Sequence, residues 1–183
     1  YVDELGLRKD TLIIFFSDHG TSLGEKYGEK MYGSYTYDYT IKAYSLFIHS
    51  KFPSKKISSQ VRSIDIAPTI LDFLGIEEEL IPKKMDGKSL LPLIHKTKSR
   101  GIFSFFNKAS YDRVAYTETG GLNGPWPSPK APNVKCLRTP SHKIIYNLTP
   151  GTWEFYNLKE DPNEENNLSY ENSKEMRKMK KLL

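Results

Sequence analysis

The sequence is poor in the residues that cross-link a chain or anchor it in a membrane. Its 183 residues include a single cysteine, Cys136, which excludes a disulfide framework and the ligand spacing of a zinc finger. No apolar run approaches the roughly 20 residues that span a bilayer, and no internal repeat is present. With 38% hydrophobic and 27% charged residues, the chain has the composition of a folded globular protein rather than a disordered one.

The positive charge does not follow a nucleic-acid-binding pattern. The formal net charge is +5, but the lysines are scattered and concentrate near the C-terminus, between Lys174 and Lys181. Such a distribution favours a solvated face over a binding patch. We therefore expect no nucleic acid partner, and the lack of a long apolar run gives the expectation of no membrane span.

One stretch near the start of the chain ends in residues that suit a ligand site. Residues 11–16 are almost all apolar, β-branched or aromatic, which predicts a strand buried on both faces. The run ends on Ser17, Asp18, His19 and Gly20. The carboxyl ends of buried strands are where open α/β sheets bind ligands. From the residues alone, Asp18 and His19 are either a metal site or, more commonly for such a pair, a polar strand end.

The elements that follow are predicted from periodicity and from helix and turn signals. The first seven residues resemble a helix end, and a second strand is expected over 44–49. Residues 65–75 predict a helix, with Asp65 at its N-cap and Gly75 at its C-terminal stop. Its buried stripe is predicted to be Ile66, Ile70, Phe73 and Leu74. Residues 86–92 predict a loop that leads into a short helical turn.

The pattern changes after residue 100 to short strands separated by turn-rich segments. Strands are predicted at 114–118, 135–138, 143–146 and 153–156, and their close spacing favours an antiparallel meander. A basic amphipathic helix is predicted over 170–183, with Met176, Met179 and Leu182 on one side.

Five segments, taken in order, resemble the sulfatase family of the alkaline-phosphatase-like superfamily. Residues 10–20 resemble the metal-binding strand end of that family, and 23–25 the loop that follows it. Residues 63–76 resemble a downstream helix, 86–93 the loop after this helix, and 138–147 together with 154–168 the C-terminal signature. Since the chain opens on Tyr1 without an initiator Met, we expect it to be the C-terminal portion of such an enzyme.

The resemblance implies an α/β fold. The expected architecture is a fragment of the alkaline-phosphatase-like α/β sandwich in residues 1–99. A small antiparallel sheet with a terminal helix is expected to follow in residues 100–183.

The resemblance also implies a metal site and a sulfate contact. It makes Asp18 and His19 ligands of a divalent metal, with Ca²⁺ the first expectation. Because many sulfatases have Asn where this chain has His19, Mn²⁺ and Zn²⁺ are kept as alternatives. A lysine in the following loop is expected to contact the sulfate; Lys30 is the first candidate and Lys26 the second, since the loop does not align cleanly.

The implied activity is hydrolysis of a small-molecule or carbohydrate sulfate ester by the intact protein. The N-terminal half of a sulfatase is expected to supply two further aspartates and the C/S-x-P-x-R motif whose Cys or Ser becomes formylglycine. That motif does not occur here, and Cys136, followed by Leu-Arg-Thr-Pro, is expected to be a buried apolar residue. Two alternatives remain open: a phosphonate or phosphodiester hydrolase or phosphoryl transferase of the same superfamily, and a non-catalytic module. The sequence does not indicate a cell compartment.

Overall fold

Both sheets of the computed structural model are antiparallel. The structure describes residues 1–26, 35–82, 84–95, 114–120 and 133–183. Its regular elements are β1 (Ile13–Phe16), α1 (Asp38–Ile41), β2 (Ser45–Ile48), α2 (Ile66–Leu74), α3 (Leu91–His95), β3 (Ala115–Thr119), β4 (Val134–Arg138), β5 (His142–Asn147), β6 (Thr152–Asn157) and α4 (Lys174–Lys180). β1 pairs with β2, and β3 to β6 form a four-stranded meander in chain order. Among the described helices, none has the length and apolar character needed to cross a bilayer.

The chain divides into two compact units. Unit 1 comprises Tyr1–Asp18 and Tyr44–Asp112, and unit 2 comprises His19–Ala43 and Arg113–Leu183. Residues 19–43 therefore group with the C-terminal sheet, although they precede the domain boundary that the sequence predicts between residues 99 and 100. That boundary stays a prediction for the intact protein.

Strand β1 is the first element of unit 1 and differs from its prediction in burial. It pairs in antiparallel register with β2, with Ile13 opposite Ile48. Phe15 and Phe16 are each 54% exposed, so the prediction of a strand buried on both faces is wrong for this chain. Burial on both faces requires a layer on each side of a sheet, and the sheet described in unit 1 has only two strands.

The predicted helix over 65–75 is confirmed at both ends. Asp65 holds the N-cap position of helix α2, although its side chain makes no capping hydrogen bond, and Gly75 ends the helix in the left-handed conformation at φ 66°. The predicted buried stripe is wrong in part, because Leu74 is 61% exposed while Pro68 and Thr69 are buried. The Thr69 hydroxyl donates to the Asp65 carbonyl and accepts the backbone N–H of Leu90, so this side of the helix is buried through polar contacts.

The loop before α3 is fixed to the N-terminus of α2, and the short helical turn predicted after it is confirmed as α3. The buried carboxylate of Asp65 accepts the backbone N–H groups of Arg62 and Lys88, each at 2.9 Å. A β-carbon at Gly87 would lie 1.9 Å from the Ile64 carbonyl oxygen. Glycine is therefore needed at this position because two backbone segments touch.

The meander of unit 2 carries a hydrophobic cluster on each face, and the meander prediction is confirmed. One face packs against the segment around α1 through Val134, Cys136, Ile145, Tyr156, Leu158 and Tyr37. The other face packs against α4 through Leu137, Ile144, Phe155, Met176 and Met179. The predicted amphipathic helix is confirmed by its two buried methionines, but Leu182 is 61% exposed because α4 ends at Lys180.

The segments that the family resemblance singled out thus fold as two antiparallel sheets with short helices. This mixed α/β architecture, with a small C-terminal antiparallel sheet and a terminal helix, agrees with the predicted fold class.

Candidate functional site

The turn after β1 carries the two predicted metal ligands. Ser17 extends the β1–β2 pair, because its backbone N–H donates to the Tyr44 carbonyl and its hydroxyl accepts the Tyr44 N–H, each at 3.1 Å. Asp18 and His19 follow with exposed side chains. The division between the two units falls between these two residues, so that Asp18 belongs to unit 1 and His19 to unit 2.

The imidazole of His19 is oriented by the neighbouring backbone. Its Nδ1 is hydrogen-bonded to the carbonyl oxygen of Gly20, and since a carbonyl only accepts, Nδ1 carries the proton. In the neutral ring, Nε2 is then the nitrogen with the lone pair. Histidines that bind metals commonly donate their other ring N–H in this way, which fixes the tautomer and the ring orientation.

Gly20 is required by a close approach of two backbone segments. Its N–H donates to the Thr40 carbonyl at 2.7 Å, and a β-carbon at this position would lie 2.2 Å from the Tyr39 carbonyl oxygen. The φ of Gly20 lies outside the left-handed region, so this close contact, and not a left-handed backbone, is the reason for glycine here. The residue next to His19 is thereby docked on helix α1.

A compact turn follows over residues 22–25. The Glu25 carboxylate accepts the Leu23 N–H at 2.7 Å and the Ser22 hydroxyl at 3.2 Å. Ser22 is buried, whereas Leu23 is exposed. These hydrogen bonds within the turn fix the path of the chain between Gly20 and Lys26.

Lys26, the second candidate for a sulfate contact, packs against the meander face. Its Nζ donates to the backbone carbonyl of Glu164 and lies 4.6 Å from the Tyr37 ring centroid and 5.5 Å from that of Tyr156. Lys30, the first candidate, lies outside the described residues. Both assignments stay predictions.

A group of buried charges lies between α1 and the meander, and sequence reasoning missed it. This buried charge cluster comprises Asp38, Arg138, Lys143 and Glu164. Lys143 is fully buried, and its Nζ lies 2.6 Å from both Asp38 Oδ1 and Glu164 Oε1. The same ammonium donates a hydrogen bond to the Thr36 carbonyl at 3.0 Å, so it combines two ion pairs with one hydrogen bond.

The register of β4 and β5 explains why both carboxylates are needed. Arg138 stands directly opposite Lys143, and two like charges in that position repel each other. Arg138 donates to both carboxylate oxygens of Asp38, at 2.9 Å from Nε and 2.7 Å from Nη2. Asp38 thus neutralises both cations at once, and with Glu164 the cluster holds two charges of each sign.

The two carboxylates of the cluster have opposite pKa shifts. Burial by itself raises the pKa of Asp38, but the hydrogen bonds from Arg138 and the charge of Lys143 outweigh it and bring the value down to about 2. Burial raises the pKa of Glu164, and the attraction of Lys143 offsets this only in part. The cluster therefore favours the ionised form of Asp38 and disfavours that of Glu164.

A signal for the cluster was present in the alternation of β5. Lys143 and Ile145 share one face of the strand, since side chains two residues apart point the same way. A lysine at the position of an inward-facing residue indicates a buried charge that needs partners. The sequence alone could not identify those partners, because Asp38 is 105 positions earlier than Lys143 and Glu164 is in a different turn.

A second polar group lies on the same meander face. Tyr37 and Tyr156 both donate to Glu154 Oε2, the former at 2.7 Å, and Asn147 donates to Glu154 Oε1 at 2.9 Å. Burial, and then the neighbouring Glu154, raises the pKa of both tyrosine hydroxyls. These hydroxyls therefore act as hydrogen-bond donors in the protein.

His49, His142 and Cys136 are packed within the two units. His49 is buried, with Nε2 bonded to the Lys9 carbonyl, and His142 stacks on Phe155. Cys136 is buried, as predicted, and its burial raises the thiol pKa to about 12. A thiol with that pKa stays protonated at neutral pH and is a poor nucleophile.

No group of three or more His, Cys, Asp or Glu side chains that could hold a metal ion occurs within the described residues. Two side chains do not complete either a zinc site, which has at least about three protein ligands, or a Ca²⁺ site, which has about six to eight oxygen ligands. A site at the β1 turn therefore needs ligands beyond the described part of the chain.

Comparison with known proteins identifies the family. The family described as N-sulphoglucosamine sulphohydrolase, C-terminal, matches residues 31–183. The N-acetylglucosamine-6-O-sulfatase of Bacteroides thetaiotaomicron is 30% identical over 175 residues, which are 92% of this chain and 28% of that protein. The multifunctional alkaline phosphatase superfamily protein PehA of Trinickia caryophylli is 40% identical over 102 residues, which are 54% of this chain and 19% of that protein.

The fold agrees with this assignment. A protein solved in complex with its substrate, D-glucosamine-2-N,6-O-disulfate, superimposes with a TM-score of 0.73 at 27% identity, covering all of this chain and 35% of that one. The chain thus spans less than a third of either curated relative. The family match over most of the chain and the similarity to a sulfatase along nearly its whole length lead to one conclusion: the chain belongs to the sulfatase family, in the alkaline-phosphatase-like superfamily, and corresponds to its C-terminal region.

Proposed function

We propose that this chain is the C-terminal part of a metal-dependent sulfatase that hydrolyses sulfate esters. The observation that carries the proposal is the family match combined with the turn after β1. That turn presents an exposed carboxylate, Asp18, and an imidazole, His19, whose Nδ1 is engaged by the backbone. The remaining ligands and the nucleophile would come from the N-terminal half of the enzyme.

The donor set fits a divalent ion. Asp18 would supply an anionic oxygen, the ligand type that Ca²⁺ prefers, and His19 would supply Nε2, which suits Mn²⁺ or Zn²⁺ better. Ca²⁺ is our first proposal because the chain belongs to the sulfatase family. When bound, the ion would act as a Lewis acid towards a sulfuryl oxygen and lower the pKa of the nucleophile.

The other role left to this chain is to bind the sulfate. A lysine ammonium next to the ester would offset the negative charge of the sulfate group and position it. Lys30 stays the first proposal for this contact. Lys26 is the second, and its contacts with the Tyr37 ring and the Glu164 carbonyl give it a structural role that would compete with substrate binding.

A carbohydrate sulfate is the substrate class that the comparisons support best. One relative is named for sulfate at the 6-O position of N-acetylglucosamine, and the superimposed structure holds a doubly sulfated glucosamine. We propose the class only, because the chain covers a minor part of both proteins.

A second candidate is a phosphonate or phosphodiester hydrolase of the same superfamily. Two observations favour it: the local similarity to PehA, whose name describes a multifunctional protein, and the presence of His19 at a ligand position. The nucleophile would separate the two candidates, since a sulfatase requires the formylglycine motif.

The test uses the full-length protein that contains this chain. Turnover of a chromogenic aryl sulfate and of the corresponding phosphonate is measured for the parent, for Asp18→Asn and for Asp10→Asn. Asp10 is an exposed aspartate at the opposite end of the same strand region and serves as the matched control. We expect sulfate release that Asp18→Asn abolishes and Asp10→Asn leaves unchanged. Full activity of Asp18→Asn would refute the metal-ligand role, and turnover of the phosphonate alone would favour the second candidate.

A further inference from the structure

The meander face that packs against α1 is polar at one end, although it is buried. Arg138 and Lys143 lie on this face together with Cys136 and Ile145. Buried ion pairs add little net stability, because desolvation of the charges offsets their attraction, and apolar residues of similar volume often stabilise a core more. The contacts of the buried charge cluster therefore call for an explanation other than stability.

All members of the cluster converge on a short backbone segment around the start of α1. Glu164 Oε2 accepts the Asp38 backbone N–H at 2.6 Å, and Lys143 donates to the Thr36 carbonyl at 3.0 Å. Arg138 donates to both oxygens of the Asp38 carboxylate. The backbone at residues 36–38 is thus fixed from β4, β5 and the turn after β6.

Helix α1 in turn fixes the residue after His19. The Thr40 carbonyl accepts the Gly20 N–H, and Gly20 lies so close to Tyr39 that no other residue fits there. Thr40 is buried, and its hydroxyl donates to the Tyr37 carbonyl at 2.8 Å. A shift of α1 would therefore move Gly20 and the backbone of His19 with it.

Two features of Glu164 indicate that it is held rigidly in place. It is buried and has a φ of 58°, in the left-handed region that side-chain-bearing residues seldom adopt. Strained backbone of this kind persists where surrounding contacts impose it and is frequent near functional sites. Its own carbonyl accepts the Lys26 ammonium, so Glu164 holds Lys26 with its backbone and α1 with its side chain.

We propose that Glu164 and Lys143 are positioning residues: they hold helix α1 in the place where its Thr40 carbonyl fixes Gly20, and they thereby set the location of His19. The catalytic importance of His19 rests on the function proposed above. The positioning of α1 and Gly20 by Glu164 and Lys143 does not depend on that function, so the positioning and the metal-ligand role of His19 are tested by separate measurements.

The first measurement is hydrogen exchange on this chain. The Gly20 amide reports the contact with α1, and the Ile145 amide in the central strand β5 reports global unfolding. In Glu164→Gln we expect the protection of Gly20 to fall at least about tenfold more than that of Ile145. Glu165→Gln is the matched control, because this exposed neighbour undergoes the same chemical change, and it should leave both amides unaltered.

Two results would overturn the proposal. An equal loss of protection at both amides would mean that Glu164 supports global stability only, and no loss at Gly20 would mean that it does not act on α1. If Glu164→Gln does not fold, the double variant Lys143→Gln/Glu164→Gln removes both contacts without leaving an unpaired charge, and the same comparison of amides applies.

The second measurement is the affinity of the full-length protein for Mn²⁺, followed by electron paramagnetic resonance. We expect Glu164→Gln to weaken binding by about tenfold, the usual effect of residues that orient a metal ligand, and His19→Ala to weaken it further. Unchanged Mn²⁺ binding in His19→Ala would refute His19 as a ligand, while the exchange result would still decide the positioning role. Unchanged binding in Glu164→Gln, with a clear loss in His19→Ala, would refute the link between the cluster and the ligand.

Discussion

The substitution Asp38→Asn tests the energetics of the buried charge cluster directly. Asparagine has nearly the same shape as aspartate, so the packing of α1 is retained while one of the two negative charges is removed. Lys143, which is fully buried, would keep Glu164 and the Thr36 carbonyl as acceptors, but it would face Arg138 without the carboxylate that separates them. The change therefore leaves an excess buried positive charge.

The expected loss can be estimated from the pKa of Asp38. The ordinary value is 3.8 and the value in the folded protein is about 2; at about 1.36 kcal/mol per pH unit, this difference corresponds to about 2.5 kcal/mol. Removal of one partner from a buried ion pair typically costs about 3–5 kcal/mol. We predict that Asp38→Asn lowers the free energy of unfolding of unit 2 by about 2–4 kcal/mol at pH 7.

The stability difference between the parent and Asp38→Asn should disappear in acid, because the pKa of Asp38 is lowered in the folded protein. Because the folded-state pKa is lowered, the stabilisation by Asp38 is fully present above pH 3.8 and is lost as the pH falls towards about 2. Glu164, with its raised pKa, acts in the opposite sense: its contribution is full below 4.5 and falls as the pH rises through its folded-state value. Below pH 4 the parent should therefore lose stability faster than Asp38→Asn.

The assay is urea unfolding followed by the fluorescence of Trp153, in a Trp126→Phe background. Trp153 stacks on Tyr146 within the meander, with a ring-centroid distance of 4.2 Å, and so reports on unit 2. Glu160→Gln, an exposed carboxylate in the same unit, is the control and should change stability by less than about 0.5 kcal/mol. Equal stabilities of Asp38→Asn and the parent at pH 7, or a difference that persists at pH 2, would refute the reasoning.

Three further predictions concern other parts of the chain. Gly87→Ala should destabilise unit 1 by about 1–3 kcal/mol, because the new methyl group would lie 1.9 Å from the Ile64 carbonyl oxygen; an unchanged thermal midpoint would contradict the close contact. The Cys136 thiol should react with Ellman's reagent only after unfolding, since it is buried with a raised pKa; rapid labelling of the native chain would show otherwise. The isolated 183-residue chain should not hydrolyse an aryl sulfate measurably, and turnover lost on Asp18→Ala would disprove this.

Local sequence patterns were sufficient for the elements whose signals are local. The C-terminal end of α2 follows from Gly75, whose left-handed conformation is a property of a few neighbouring residues. The N-terminal end lies where the sequence predicts it, but the Asp65 carboxylate bonds to the backbone of Arg62 and Lys88 rather than to the helix. The pairing of β4, β5 and β6 follows from strands joined by short turns, since consecutive strands with short connections pair with each other. The resemblance carried by five segments in order identified the family, which the comparisons confirm.

The burial of particular faces could not be read from the same patterns. Residues 11–16 have the composition of a doubly covered strand, yet Phe15 and Phe16 are exposed in a two-stranded pair. Leu74 was assigned to the core of α2, but Thr69 is buried instead, because its hydroxyl links the helix to the loop at Leu90. Burial depends on which layer a face meets, and this is a property of the tertiary structure.

At the candidate site, too, some features follow from the local sequence and others only from the tertiary structure. The sequence determined the chemistry of the two predicted ligands, a carboxylate at Asp18 and an imidazole at His19, because residue type at a strand end is a local property. Tertiary structure decided why Gly20 is glycine and where Asp38, Lys143 and Glu164 meet, since both depend on contacts between segments far apart in the chain. Charges that neutralise each other across more than a hundred residues leave no periodic signal, and only the folded chain brings them together.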